Sequence, residues 1–390
     1  MVNNREGDYG PAKARSLSMT GVHTPPRLAV ECDIAANSLP DREFLRQNKY
    51  RNSIRPKPAG LERLTSVTIP PSDLFAPFVA TLGRGPGRSR ALTREEARTA
   101  FGMVLRGEAD PHQVGAFLML LRFRGEDAEE IAGMTEAARA RPELGHGGID
   151  ADLDWPSYGS GRTRGAPWFL LSALALGRSG IRVLMHGSNA FSSGMTVEAG
   201  LAALGLASND EARSLRQTGF AYLPLKTLAP AIDRLLDMRR LFGLRSPVNT
   251  VARLLNPADA PAGIDGVFHP AYIDVHLGVA ERMHRGSLLV LKGGGGEAER
   301  VPLKPATATL WTKDGGRRTI DLPAVEGLAP HPPATDTAAS FAAVWNGEIA
   351  PATPLAAIQA TIALALLAMG RTPDPARAME DAASIWAQRR

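Results

Sequence analysis

The spacing of apolar and polar positions changes period several times along the chain, and each change marks an element. Residues 1–67 hold no sustained period; RQNKYRNSIRPKP at 46–58 is basic and broken by proline, which predicts an extended or disordered tail. Order is expected from about Thr68. Thr93-Arg94-Glu95-Glu96 is a capping box that opens a helix to about Arg106. Asp110-Pro111-His112-Gln113 repeats the logic, with aspartate at the cap and proline at the first helical position. Val114, Phe117, Leu118 and Leu121 then share one face, and the helix is expected to stop before Gly125. A third helix is capped by Asp127 through Glu130 and runs to about Arg141. The three predict a helical domain over 68–145, followed by a glycine linker, Gly145-His146-Gly147-Gly148.

Beyond the linker, short extended runs alternate with helical ones. Leu153–Tyr158 is extended, Gly159–Gly165 is a glycine-rich turn, Trp168–Leu176 is an apolar helical run, and Ile181–Met185 is extended again, ending in His186-Gly187. Strand, glycine loop, helix and strand make a βαβ unit of a parallel sheet, whose loops gather at the carboxyl ends of the strands. Further strands are expected at Phe220–Leu223, Gly266–His269 and Ser287–Leu291, with a hairpin at Thr307–Thr312 and Arg317–Leu322. Helices are expected at Val197–Leu204, Pro230–Leu241, Pro247–Leu255, Tyr272–His284 and Pro354–Ala368. The fold class is therefore α/β: a small helical N-terminal domain and a larger, mixed but largely parallel α/β domain. The α/β domain takes 149–229 and 256–390, and helices in 230–255 pack on the helical domain.

Charge sharpens this picture. Between Trp155 and Arg253 stand twelve basic residues and five acidic ones, a net +7, against +5 for all 390 residues. A basic face favours anionic partners: nucleic acid, nucleotides or phosphorylated small molecules. The glycine loop contains Arg162 and Arg164 and no acid, and free amides at a helix start can hold a phosphate. The candidate anion site is Gly159, Ser160, Gly161, Arg162, Arg164, His186, Gly187, Ser192, Ser193, Arg239, Arg245 and Lys292. Ser192 and Ser193 serve either a phosphate or the cap of the next helix, and His186 reads first as a loop or core histidine. The eight histidines show no metal-ligand spacing with the lone Cys32. One cysteine, no apolar run of membrane length and no leader behind Arg5 fit a cytoplasmic protein without a membrane partner.

The ordered set Gly107-Glu108, Gln113, Phe117-Leu118, Gly125-Glu126, Ile131–Met134, His186-Gly187, Ser192-Ser193, Arg239, Gly243–Arg245, Asn249, Leu255–Pro257 and Gly266–Phe268 resembles anthranilate phosphoribosyltransferase, a type III phosphoribosyltransferase related to pyrimidine nucleoside phosphorylases. The resemblance runs from about Ile69 to the C-terminus. It implies a helical domain hinged to an α/β domain, a ligand cleft between them, and a homodimer through the helical domain. It also implies that Arg239 matches the arginine that holds the anthranilate carboxylate.

The catalytic signature departs from the family pattern. Gly-Thr-Gly-Gly-Asp-Gly has become Gly159-Ser160-Gly161-Arg162-Thr163-Arg164. Lys-His-Gly-Asn-Arg has become Met185-His186-Gly187-Ser188-Asn189, and the metal-binding Asp-Gly-Leu-Asp-Glu reads Gly295-Gly296-Glu297-Ala298-Glu299. Only Glu299 stays in register, so Mg²⁺ is expected only if transfer chemistry persists, and no catalytic residue is assigned. The losses resemble the YbiB-like branch, which implies dimeric binding of nucleic acid with little sequence preference. Arg162, Arg164, Arg182, Lys226, Arg240 and Arg253 are the candidate phosphate-backbone contacts, DNA or RNA. The alternative is an active phosphoribosyl- or glycosyltransferase that uses phosphoribosyl diphosphate with an acceptor other than anthranilate.

Overall fold

The computed structural model describes residues 71–144, 149–159, 164–206 and 211–390. The tail at 1–67, the linker Gly145–Gly148, and Ser160, Gly161 and Arg162 of the glycine loop lie outside the described residues. No helix among the described residues is long and apolar enough to cross a membrane.

The first four helices are α1 (Pro71–Gly83), α2 (Arg94–Arg106), α3 (Pro111–Arg124) and α4 (Ala128–Arg139). Thr93 and Asp110 close reciprocal capping boxes with Glu96 and Gln113, as the sequence predicts. A fourth helix, α1, precedes the three expected. It contains Pro77, which gives up a backbone donor. Packing overrides that cost: Phe75 is fully buried and meets Phe117 edge to face at 5.4 Å.

The α/β part follows as β1 (Leu153–Ser157), α5 (Trp168–Arg178), β2 (Val183–Gly187), α6 (Val197–Ala203), α7 (Glu211–Thr218) and β3 (Phe220–Pro224). A helical insertion comes next: α8 (Leu225–Leu228), α9 (Pro230–Asp237), α10 (Arg239–Phe242) and α11 (Val248–Arg253). The chain ends with β4 (Ala262–Val267), α12 (Tyr272–Arg282), β5 (Ser287–Lys292), β6 (Ala306–Thr312), β7 (Gly316–Leu322), α13 (Ala338–Asn346), α14 (Ala352–Ala368) and α15 (Pro375–Ala387).

The seven strands form one sheet in the order β3-β2-β1-β4-β5-β6-β7. The first five are parallel, and β6 and β7 extend the sheet as the expected antiparallel hairpin. Alternate residues of each parallel strand enter different cores. Val183 and Met185 join the core under α5 and α14, whereas Leu184 joins a second core with Phe101, Leu118, Ile232 and Val251. The second core ties the insertion to the helical bundle.

Among the elements that differ from expectation, β2 runs Val183–Gly187 rather than Ile181–Met185. The single helix predicted over Pro230–Leu241 breaks at Met238, and α10 ends at Gly243 in the left-handed conformation (φ 65°). Strand β4 starts at Ala262, four residues before the predicted Gly266. Gly263 and Gly266 each let a neighbour approach closely. An added Cβ would stand 2.6 Å from the Arg285 guanidinium at Gly263 and 2.0 Å from the Glu297 backbone at Gly266.

Candidate functional site

At the carboxyl edge of the sheet lies a pocket of about 300 Å³. Four segments far apart in sequence close it. The end of α3 and the turn after it bring Arg122 and Glu126. The α10–α11 segment brings Arg239, Arg245, Asn249, Thr250 and Arg253. Phe268, Tyr272 and His276 come from β4–α12, and Gly295 and Gly296 complete the wall.

Four guanidinium groups therefore face one small volume. Arg239 lies 4.5 Å from the Phe191 ring centroid, and its buried Nη1 has no hydrogen-bond partner. The chain breaks at Met238, immediately before Arg239 opens α10. Arg245 stacks 5.6 Å from the Phe268 centroid. Burial first, then the neighbouring Arg239, Arg253 and Arg122, lowers the Arg245 pKa from its ordinary value. Cations crowded so closely favour an anion among them.

The pocket wall also carries acid–base groups. Glu126 accepts from the Thr250 hydroxyl at 2.5 Å and from the Tyr272 hydroxyl at 3.2 Å, and Arg122 donates to Tyr272. Burial pushes the Glu126 carboxyl above its ordinary pKa despite these donors. Asp265 Oδ2 lies 2.5 Å from His276 Nδ1, and its Oδ1 lies 3.4 Å from Arg253 Nη1.

The glycine-loop side is arranged differently. Helix α5 has no side-chain cap of its own at Pro167. Two carboxylates distant in sequence fill that role: Asp336 accepts from the Ala166 amide at 2.8 Å and Glu299 from the Phe169 amide at 2.9 Å. Asp336 is held in turn by His331, 2.6 Å away. The chain's own carboxylates thus occupy the helix start at which the sequence places a phosphate. Glu299, the one acid in register with the metal motif, is spent on that amide. Ala298 beside it is fully buried, and Glu297 points into the interior at 1% exposure. Among the described residues no group of three or more histidine, cysteine or acidic side chains could hold a metal ion. These donors do not fit a protein-held Mg²⁺.

The remaining site candidates disperse. His186 is fully buried, its Nδ1 2.9 Å from the Tyr158 hydroxyl and its Nε2 3.2 Å from Asp154 Oδ1. Burial works to raise the Asp154 carboxyl, but His186 and Arg285 outweigh it and hold the pKa below the ordinary value. His186 is thus engaged in the core rather than presented to a ligand. Gly187 is required by packing, since an added Cβ would stand 1.8 Å from the Ser157 carbonyl oxygen. Gly159 is buried at the end of β1, and Ser192 and Ser193 sit in the loop after β2.

Arg182 precedes β2, at the opposite edge of the sheet from the pocket, where Asp150 and Asp152 engage it. Those two acids remove it from the basic edge, a pairing invisible until the strands are aligned. Arg240 is paired with Asp237 at 2.6 Å. Arg164, Lys226 and Lys292 are exposed at the carboxyl edge. Sequence reasoning singled out neither Arg122, Tyr272 nor the Asp265–His276 pair. Their only signal was polar residues inside otherwise apolar elements.

Comparison with known proteins agrees with this architecture. Residues 77–141 match the helical bundle domain of the glycosyl transferase family, and residues 169–335 match its a/b domain. The anthranilate phosphoribosyltransferase of Methylobacterium nodulans is 33% identical over 310 residues, covering 75% of this chain and 88% of the relative. That of Beijerinckia indica is 31% identical over 264 residues, covering 66% and 75%. The crystal structure of the Thermus thermophilus enzyme superposes with a TM-score of 0.65 at 24% identity, covering 81% of this chain and 95% of that one. The Saccharomyces cerevisiae enzyme in complex with PRPP and Mg gives 0.62 at 17% identity, covering 81% and 94%. With both domains matched in order and relatives above 30% identity aligned over most of their length, the chain belongs to glycosyl transferase family 3, the anthranilate phosphoribosyltransferase-like proteins.

Proposed function

We propose that this protein is a phosphoribosyl- or related glycosyltransferase that takes an acceptor other than anthranilate and neutralises its anionic ligands with arginine rather than Mg²⁺. The observation that carries this reading is the buried, unpartnered Nη1 of Arg239 in a pocket shared with Arg122, Arg245 and Arg253. A volume of about 300 Å³ suits a small phosphorylated or carboxylated molecule. Guanidinium groups can stabilise the charge that develops on a departing diphosphate, a role that metal ions fill elsewhere. The relatives' shared activity supports the donor class. The commitment of Glu299 and Asp336 to amides at the α5 start, among the described residues, favours a ligand held by arginine here.

Release of diphosphate from phosphoribosyl diphosphate is the test, run with a panel of aromatic and heterocyclic amines and with a chelator present. Release that persists under chelation and collapses in Arg239→Ala is expected. Release that requires Mg²⁺, or none with any acceptor, contradicts the reading.

Nucleic-acid binding is a second reading, favoured by the exposed Arg164, Lys226 and Lys292 along one sheet edge. It predicts gel shifts that weaken steeply with salt, and their absence at low salt excludes it. The homodimer through the helical domain remains part of either proposal.

A further inference from the structure

The arginine pocket contains a pair that charge neutralisation alone does not use. His276 projects from α12 into the pocket wall, and its Nδ1 is fixed by Asp265 at 2.5 Å. Asp265 stands in β4, where its second oxygen faces Arg253 at 3.4 Å. A carboxylate can only accept, so this contact keeps the imidazole proton on Nδ1 and leaves Nε2 as the ring's acceptor. An oriented histidine backed by a buried carboxylate is the arrangement that general-base catalysis requires. The other titratable groups facing the same space are Glu126, Tyr272, Arg122, Arg239, Arg245, Arg253 and, at the rim, His269.

We propose that His276, held by Asp265, is the proton acceptor of this pocket, serving a ligand with a dissociable O–H or N–H beside an anionic group. The inference rests on the transfer reading above. In the step, the acceptor heteroatom bonds to the anomeric carbon of the sugar diphosphate. The bond from that carbon to the diphosphate oxygen breaks, and its electron pair leaves with the diphosphate. The acceptor's proton passes to His276 Nε2, and Asp265 stabilises the resulting imidazolium.

Sulfate is a suitable probe, because its charge is constant across the pH range in which histidine titrates. Calorimetry on the full chain is expected to show sulfate binding about tenfold tighter near pH 6 than near pH 8, with net proton uptake on binding. His276→Gln and the near-isosteric Asp265→Asn should flatten that slope, and His269→Gln should keep it. In the unaltered protein the His276 imidazole resonances should shift on sulfate addition. Arginine-dependent binding with no slope, the same slope in His276→Gln, or an unmoved ring overturns the proton-acceptor role alone. Sulfate binding that is absent, or unchanged in Arg239→Ala and Arg245→Ala, overturns the pocket reading and this role with it.

Discussion

At Gly187 a single methyl group decides whether β1 and β2 can pair as they do. The added Cβ would lie 1.8 Å from the Ser157 carbonyl oxygen, with backbone on both sides and no flexible side chain to yield. Gly187→Ala is therefore expected to lose upwards of about 3 kcal/mol, read as a lower denaturation midpoint. Glu130 makes a second residue-scale prediction. It is 1% exposed and accepts from the Leu92 amide at 2.7 Å. Burial pushes its pKa up from 4.5 to about 6. A raised carboxyl favours the protonated native state, so its contribution is full below the unfolded pKa and fades as pH rises through the folded one. The change is on the order of 2 kcal/mol. Glu130→Gln keeps an acceptor for Leu92 and should flatten the stability profile between those two pKa values. A profile that keeps its full slope in the variant would contradict this account.

At the scale of elements, two amides at the start of α5 are capped by carboxylates distant in the chain. These amides point where a phosphate is expected, and Asp336 and Glu299 take them. Glu299→Ala strands the Phe169 amide in the interior and should cost roughly 1–3 kcal/mol. Millimolar Mg²⁺ should leave the melting temperature of the unaltered protein unchanged, because a specific ligand raises it by mass action. A rise with Mg²⁺ would show a metal site that these donors do not provide. Locally encoded elements were legible in the sequence: the capping boxes at Thr93 and Asp110, the βαβ unit and the hairpin at Gly316 each depend on residues a few positions apart. The early start of β4 was not, because Gly263 and Gly266 owe their places to Arg285 and Glu297, which are distant in the chain.

For the whole molecule, the family and the two-part architecture followed from the order of motifs, but the pocket did not. Its arginines come from α3, α10 and α11 and its acid–base groups from β4 and α12, and only the folded chain brings them together. The +7 stretch was read as one basic surface. The fold pairs Arg182 and Arg240 with acids, turns Arg239 and Arg245 toward the pocket, and leaves Arg164 and Lys226 exposed. The central claim is that these inward guanidiniums bind a small anion without metal. Its most direct test is calorimetric titration of phosphoribosyl diphosphate into the full chain, with chelator and then with Mg²⁺, repeated on the double variant Arg239→Ala and Arg245→Ala. The account predicts binding that is the same with and without Mg²⁺ and at least about a hundredfold weaker in the double variant. Binding that appears only with Mg²⁺, or that survives loss of both arginines, would contradict it.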